Sequence, residues 1–246
     1  MLTIVKTKLK TSLLLLLASA LVLSCQHHNA HTIKGNGNIV IQTRTASESF
    51  TRIEVNNALE VIIEQDSKTK ISVEADDNLQ KSIETKIENR TLFISRKNGN
   101  YSSNRSQKVF IKTPVIEELS ANSASSIKTK NTLKGENITL RTTSAAKIEA
   151  ELSFENVKAS SSSASKIELK GMALNLDVET NSAGKIEAEN LLANSVVAQS
   201  SSGSKISVHP IVNLKANADS GSKIEYNNNP KHTEKTTSSG GSIELE

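Results

Sequence analysis

The chain has 246 residues, 36% of them hydrophobic and 23% charged, a balance that allows a sizeable core and excludes gross disorder. Six aromatics (four Phe, two Tyr, no Trp) exclude an aromatic-stacking platform for nucleic acid. The formal charge of +4 falls to +1 once the three lysines of the first 24 residues are set aside, so the basic balance is no nucleic-acid footprint either.

Residues 1–24 read as a cleaved leader. Lys6, Lys8 and Lys10 form a positive start, and Leu13–Leu17 open an apolar run too short to span a bilayer comfortably. The run ends in Val22-Leu23-Ser24-Cys25, which resembles a bacterial lipobox. That resemblance implies lipidation of Cys25, with cleavage after Ser24. The competing reading is an ordinary secretory signal with a chance Cys. Cys25 is the one Cys of the chain, so no intrachain disulfide is available and stability must come from packing and hydrogen bonds. Gln26 follows it, resembling lipoproteins sent to the outer membrane. The stretch from Gln26 to Ser47 holds no acid, unlike surface-exposed lipoproteins of the Bacteroidetes type. Together these favour the periplasmic face of the outer membrane. Residues 25–34 read as a tether. Its His27, His28 and His31 lack the fixed geometry a metal site needs, so no metal and no cofactor is expected.

Residues 35–116 read as a β-rich N-terminal part. Val55, Leu59, Val61 and Ile63 run to the polar turn Asp66–Thr69, and Ile71-Ser72-Val73 returns. Asp77–Lys81 reads as one helical turn capped by Asp77 or Asn78. Leu92-Phe93-Ile94 and Val109-Phe110-Ile111 are further strands around a polar loop, and Pro114 marks where the repeats begin. Gly35-x-Gly37 lacks the third glycine of a dinucleotide loop and reads as a turn.

Residues 117–246 carry a repeat of about nineteen residues. Ile127, Ile148, Ile167, Ile186, Ile206, Ile224 and Ile243 recur at spacings of 21, 19, 19, 20, 18 and 19. Four residues before each stands Ser: Ser123, Ser144, Ser163, Ser182, Ser202, Ser220 and Ser239. Ala or Gly follows every Ser, read here as allowing close backbone approach at a bend. Lys precedes and Glu follows the Ile in most copies. Between anchors runs a second alternating segment, as in Ile138-Leu140-Thr142-Ser144 and Leu174-Leu176-Val178-Thr180. The fold class is therefore all-β, a parallel β-solenoid or β-helix of ~19-residue coils with a β-rich N-terminal cap. Seven stacked rungs span about 29 Å at strand spacing. The Ile column is expected inside, the Ser column is expected to form a hydroxyl ladder, and Lys and Glu are expected outside in offsetting columns.

The segments Gly35-Asn36-Gly37-Asn38-Ile39, Phe50–Val55, Leu59–Gln65 and Ile71–Leu79, followed by the Ser-Ala-Ser-Lys-Ile-Glu repeats, resemble the "putative auto-transporter adhesin, head GIN domain" family over about residues 35–246. The resemblance implies a secreted or lipid-anchored protein of β-helical layers, and it brings no catalytic residues to carry over. RTX-type calcium coils need a recurring Asp that is absent here. His209 and His232 are the remaining histidines, and no Ser-His-Asp or paired-carboxylate arrangement can be argued. The function expected is a non-catalytic, lipid-anchored envelope protein presenting a solenoid surface for adhesion or protein contact. The alternative is a β-helix enzyme acting on envelope glycans, which should break its repeat at the active site. The membrane, through the lipid, and another envelope protein or copies of itself are the expected partners. The last coil shows no clear polar cap, and exposed final strands pair readily.

Overall fold

The computed structural model describes residues 32–105 and 107–246. The leader, Cys25 and the three tether histidines lie outside the described residues. Thr32–Lys34, assigned to the tether, instead form a strand paired in parallel with Asn100–Ser102 inside the supposed polar loop.

The repeat region is a stack of parallel coils in one continuous sheet. The separate short strands expected from the sequence are joined. Lys147–Ser161, Lys166–Thr180, Lys185–Ser200 and Lys205–Ala218 each run as one bent strand around most of a coil. The coil has three faces. The first carries the Lys-Ile-Glu segment. A short third face follows, at 152–155 and its equivalents. The second face carries Val157-x-Ala159-x-Ser161 and its equivalents, and then the chain turns into the next coil. Ile127, Ile148, Ile167, Ile186, Ile206, Ile224 and Ile243 occupy one register. The first six are essentially fully buried, and Ile243 packs partly buried on the end. On the second face Leu140, Ala159, Val178, Ala198 and Ala216 form one buried column, and along each strand the inward side chains shrink toward the turn, as in Val157, Ala159 and Ser161. Small residues there let the two faces converge, and burying aliphatic columns at roughly 25 cal/mol per Å² supplies most of the driving force. Among the aliphatic residues of the second segment, Leu174 is outside, 48% exposed, because the chain puts two successive side chains outward at the corner before Leu176.

The N-terminal part belongs to the same stack. Arg52–Val55 and Glu60–Gln65 form a coil that pairs in parallel with Glu118–Ala121 and Ser126–Thr129 on one side, and with Thr91–Arg96 and Lys108–Thr113 on the other. Stacking order thus departs from chain order. Antiparallel strands close the far end. Lys70–Asp76 pairs with Lys108–Thr113, Ile39–Arg44 with Lys70–Asp76, and Ile83–Glu88 with Thr91–Arg96. The helical turn is a 3-10 segment, Asp77–Ser82, whose Leu79 is fully buried. Its N-cap is Asp76, with no side-chain capping bond, rather than Asp77 or Asn78. At the opposite end the second face of the last coil carries exposed polar residues in the register of the inward column. Thr233, Lys235 and Thr237 stand in register with Leu214, Ala216 and Ala218. Lys235 Nζ bonds the Tyr226 hydroxyl and lies 4.4 Å from that ring's centroid. A polar lid is therefore present where the sequence showed none.

Candidate functional site

Each coil turns at the Ser-Ala or Ser-Gly pair. Both residues adopt the left-handed conformation, with φ of 53° and 59° at Ser163 and Ala164 and 55° and 65° at Ser202 and Gly203. Two successive positive φ values reverse the chain tightly, which explains small residues and Gly at the second position. Close approach is not the reason, because a Cβ on Gly203, Gly221 or Gly240 would meet nothing within 4 Å. Close approach falls one residue later. A Cβ on Gly184 would lie 2.2 Å from the Ser161 carbonyl oxygen, and one on Gly241 2.2 Å from that of Ala218.

The seven anchor serines, Ser123 through Ser239, are exposed and do not build the expected hydroxyl ladder. What repeats there is main chain. The amide of Ala145 donates to the Ser163 carbonyl (3.1 Å), Ala164 to Ser182 (3.1 Å), and Ala183 to Ser202 (3.2 Å). The hydroxyl array is inside, built from the serine two residues before the Ile and the last inward residue of the second face. Ser165 Oγ donates to Thr142 Oγ1 at 2.9 Å and lies 2.9 Å from Ser161 Oγ. Thr180, Ser200 and Ser204 sit mutually within 3.0 Å, and Ser222 Oγ donates to the Ser200 carbonyl.

Outside the Ile column runs a ladder of ion pairs. Lys147 reaches Glu149 in its own coil (2.6 Å) and Glu168 in the next (3.3 Å). Lys166 bridges Glu168 and Glu187, Lys185 meets Glu187, and Lys223 bridges Glu225 and Glu244. The Lys147 ammonium is held above its ordinary value, mainly by the bond to Glu149, and Glu149 below its own, mainly by Lys147. Ser207 interrupts the Glu column, so Lys205 has no carboxylate in its own coil and pairs with Glu225 of the next, which Lys223 also holds. Burial pushes the Glu225 carboxyl up, but hydrogen bonds from those lysines outweigh it and hold it at about 2.

A second ladder escaped the sequence reading. Asn156 Nδ2 donates to Asn137 Oδ1 (3.0 Å), Asn175 Nδ2 to Asn156 Oδ1 (2.8 Å), and Asn213 Nδ2 to Ser195 Oγ (2.9 Å). These residues share one register at the corner opening the second face. The signal was available: each directly precedes the apolar residue that begins that face.

The Gly35–Asn38 segment wraps a buried carboxylate. Asp76 accepts from the Gly37 amide (2.6 Å) and from Ser103 Oγ, and a Cβ on Gly35 would collide with it. Asn36 and Asn78 complete the knot through the Asn36 amide to Asn78 Oδ1 (3.0 Å) and Asn78 Nδ2 to the Lys34 carbonyl (2.8 Å). Its role is to fasten the end of the stack.

The columns break on the third face. Register shifts fall between Glu168 and Lys170, between Ala188 and Leu192, and between Ala193 and Ser195. There Met172, Leu192 and Ile211 are 60%, 41% and 39% exposed, beside the exposed Leu174. A groove of about 400 Å³ runs alongside, lined by Glu149, Glu151, Glu168, Lys170, Glu187 and Glu189 among others. No group of His, Cys, Asp and Glu among the described residues could hold a metal ion. On the third face exposed apolar side chains and broken register coincide, next to a groove whose lining ends at Lys170 and Asn190, and this is the candidate site.

The family model described as "Putative auto-transporter adhesin, head GIN domain" matches residues 49–230. Similar solved structures include a "putative adhesin" from Bacteroides fragilis (TM-score 0.80, 20% identity, 87% of this chain and 100% of that one). A "putative adhesin" from Parabacteroides merdae gives 0.71 at 20% identity, covering 88% and 100%. A "putative lipid binding protein" from Parabacteroides distasonis gives 0.70 at 21%, again covering 88% and 100%. At such identities the likeness establishes the fold. No curated protein matches the chain.

Proposed function

The chain belongs to the "Putative auto-transporter adhesin, head GIN domain" family, and from that premise we propose a non-catalytic envelope protein that is lipid-anchored through Cys25 and uses its solenoid as a contact surface. The observation that carries the anchor is the position of the one Cys, directly after Val22-Leu23-Ser24 at the end of a leader-like run. Family membership and a fold of stacked, mostly neutral ion-pair columns support contact rather than catalysis. Gln26 and the acid-free stretch to Ser47 support the periplasmic face of the outer membrane.

Metabolic labelling with a radioactive fatty acid tests the anchor. Label is expected in the wild type and lost in Cys25→Ala; label retained by the variant refutes it. Protease treatment of intact cells, with a tag after residue 246, tests the face. Protection is expected, and degradation without lysis would place the protein outside.

A further inference from the structure

We propose that the interrupted third face docks a short polypeptide segment of a partner that carries a lysine or arginine beside aliphatic side chains. This deepens, and rests on, the reading of the solenoid as a contact protein.

Three observations meet here. First, polar columns give way to aliphatic ones. In the earlier coils the outward positions of this face are Lys134 and Glu136, then Ser153 and Glu155. In the next three coils they include Met172, Leu174, Leu192 and Ile211, of which Met172 and Leu192 are direct register neighbours. Exposed apolar side chains gathered on one face mark interaction sites, whereas scattered ones do not. Secondly, the chain bulges beside this patch. Ala188 faces Val208 and Leu192 faces His209, so Glu189, Asn190 and Leu191 have no counterparts on the next coil. Bulges re-aim side chains and are concentrated beside functional sites. Thirdly, the adjoining groove has one acid left over. Glu149, Glu151, Glu168 and Glu187 each hold a lysine. Glu189 holds none, and its Oε2 is buried with no hydrogen-bond partner.

Glu189 lines the groove with no lysine of its own, and a cationic side chain laid there supplies the missing countercharge. The aliphatic patch beside it fixes the neighbours of that cation as apolar. Three coils make the patch about 10 Å tall, the reach of three or four extended residues. The occupant is therefore a short segment rather than a second folded face.

The test is fluorescence polarisation of the purified protein with three labelled peptides: alternating Leu and Lys, alternating Leu and Glu, and alternating Ser and Lys. The Leu-Lys peptide is expected to bind at least about tenfold more tightly than the others, and Glu189→Gln to weaken it by about tenfold. The double variant Met172→Ser, Leu192→Ser should weaken it similarly. Glu234→Gln, on the second face and paired with Lys215, should leave it unchanged. Equal binding of the Leu-Glu peptide, an unaffected Glu189→Gln, or an equal loss in Glu234→Gln overturns the proposal. If the double variant does not fold, Glu189→Gln decides alone. A dimer in light scattering that the double variant dissolves would assign the face to a second copy. Cosedimentation with phosphatidylglycerol vesicles lost in that variant would assign it to a membrane; either result also overturns the proposal. Loss or retention of fatty-acid label at Cys25 does not bear on these measurements, so the two readings fail separately.

Discussion

Ser204→Ala and Ser202→Ala differ by two positions and should differ sharply in cost. Ser204 Oγ sits at the centre of the buried hydroxyl array, 2.8 Å from Ser200 Oγ and 2.9 Å from Thr180 Oγ1. It accepts from the Ser201 amide at 3.2 Å and lies within reach of the Ser201 and Thr180 carbonyls, at 2.7 and 3.1 Å. Its loss orphans little. Thr180 Oγ1 and Ser200 Oγ still meet at 3.0 Å, and the Ser201 amide keeps the Thr180 carbonyl at 3.0 Å. What disappears is one or two net hydrogen bonds, so Ser204→Ala should cost about 1–2 kcal/mol. Ser202 is exposed, and its left-handed φ of 55° is unchanged by Ala, so Ser202→Ala should fall within about 0.5 kcal/mol of the wild type. Urea unfolding followed by circular dichroism measures both, with the slope checked for constancy. If Ser202→Ala proved as costly as Ser204→Ala, the inner hydroxyls would not be what joins the coils at the turn.

Ile167→Asp puts a carboxylate into a fully buried column and should cost at least about 4 kcal/mol; an unchanged melting temperature would reject the inward assignment. Gly184→Ala drives a methyl to 2.2 Å from the Ser161 carbonyl oxygen and should cost about 2 kcal/mol, read by the same unfolding curve; no change would mean that the two coils are not in contact there. The Glu225 carboxyl is held at about 2, below the ordinary 4.5. A depressed carboxylate stabilises the fold above pH about 4.5 and loses that contribution as pH falls toward 2. Glu225→Gln should therefore lower the urea midpoint more at pH 7 than at pH 2.5, and an equal offset at both would refute the ion-pair account.

The Ile column and the coil length were legible because inward positions in a stack must be apolar in every coil. The misreading of the serines has a physical cause. Counting back from the Ile by twos puts both Ser165 and Ser163 inside, but the chain leaves the strand at Ser163-Ala164, where two positive φ values swing that side chain out. The clue lay in the N-terminal part. Asn57-Ala58-Leu59-Glu60-Val61 occupies the same turn, with φ of 63° and 56° at Asn57 and Ala58, and the Ala58 amide donates to the Ser123 carbonyl. Asn tolerates the left-handed conformation best among non-glycine residues, so its alignment with the Ser column marks that column as a turn. The excursion from Val61 to Ile127 hid this coil from a search at fixed period. The third face was illegible for a related reason: its bulge lengthens one coil to 20 residues, and the next, at 18, shortens again.

A stack of identical coils has a difficulty as a recognition device, because every rung offers the same surface and no rung is preferred. On the first face the Lys and Glu columns neutralise one another over successive coils, and at the second-face corner the amide ladder spends its donors internally. Both columns therefore have little left for a partner. Specificity has to come from where the translation symmetry fails. Among the described residues it fails at the two ends, where antiparallel strands stand at one and Thr233, Lys235 and Thr237 at the other, and it fails along the third face over three coils. At that bulge Glu189, which has no register partner on the next coil, lines the groove without a lysine, while Glu149, Glu151, Glu168 and Glu187 each hold one. The same irregularity that obscures the repeat is thus what gives one rung a surface unlike its neighbours.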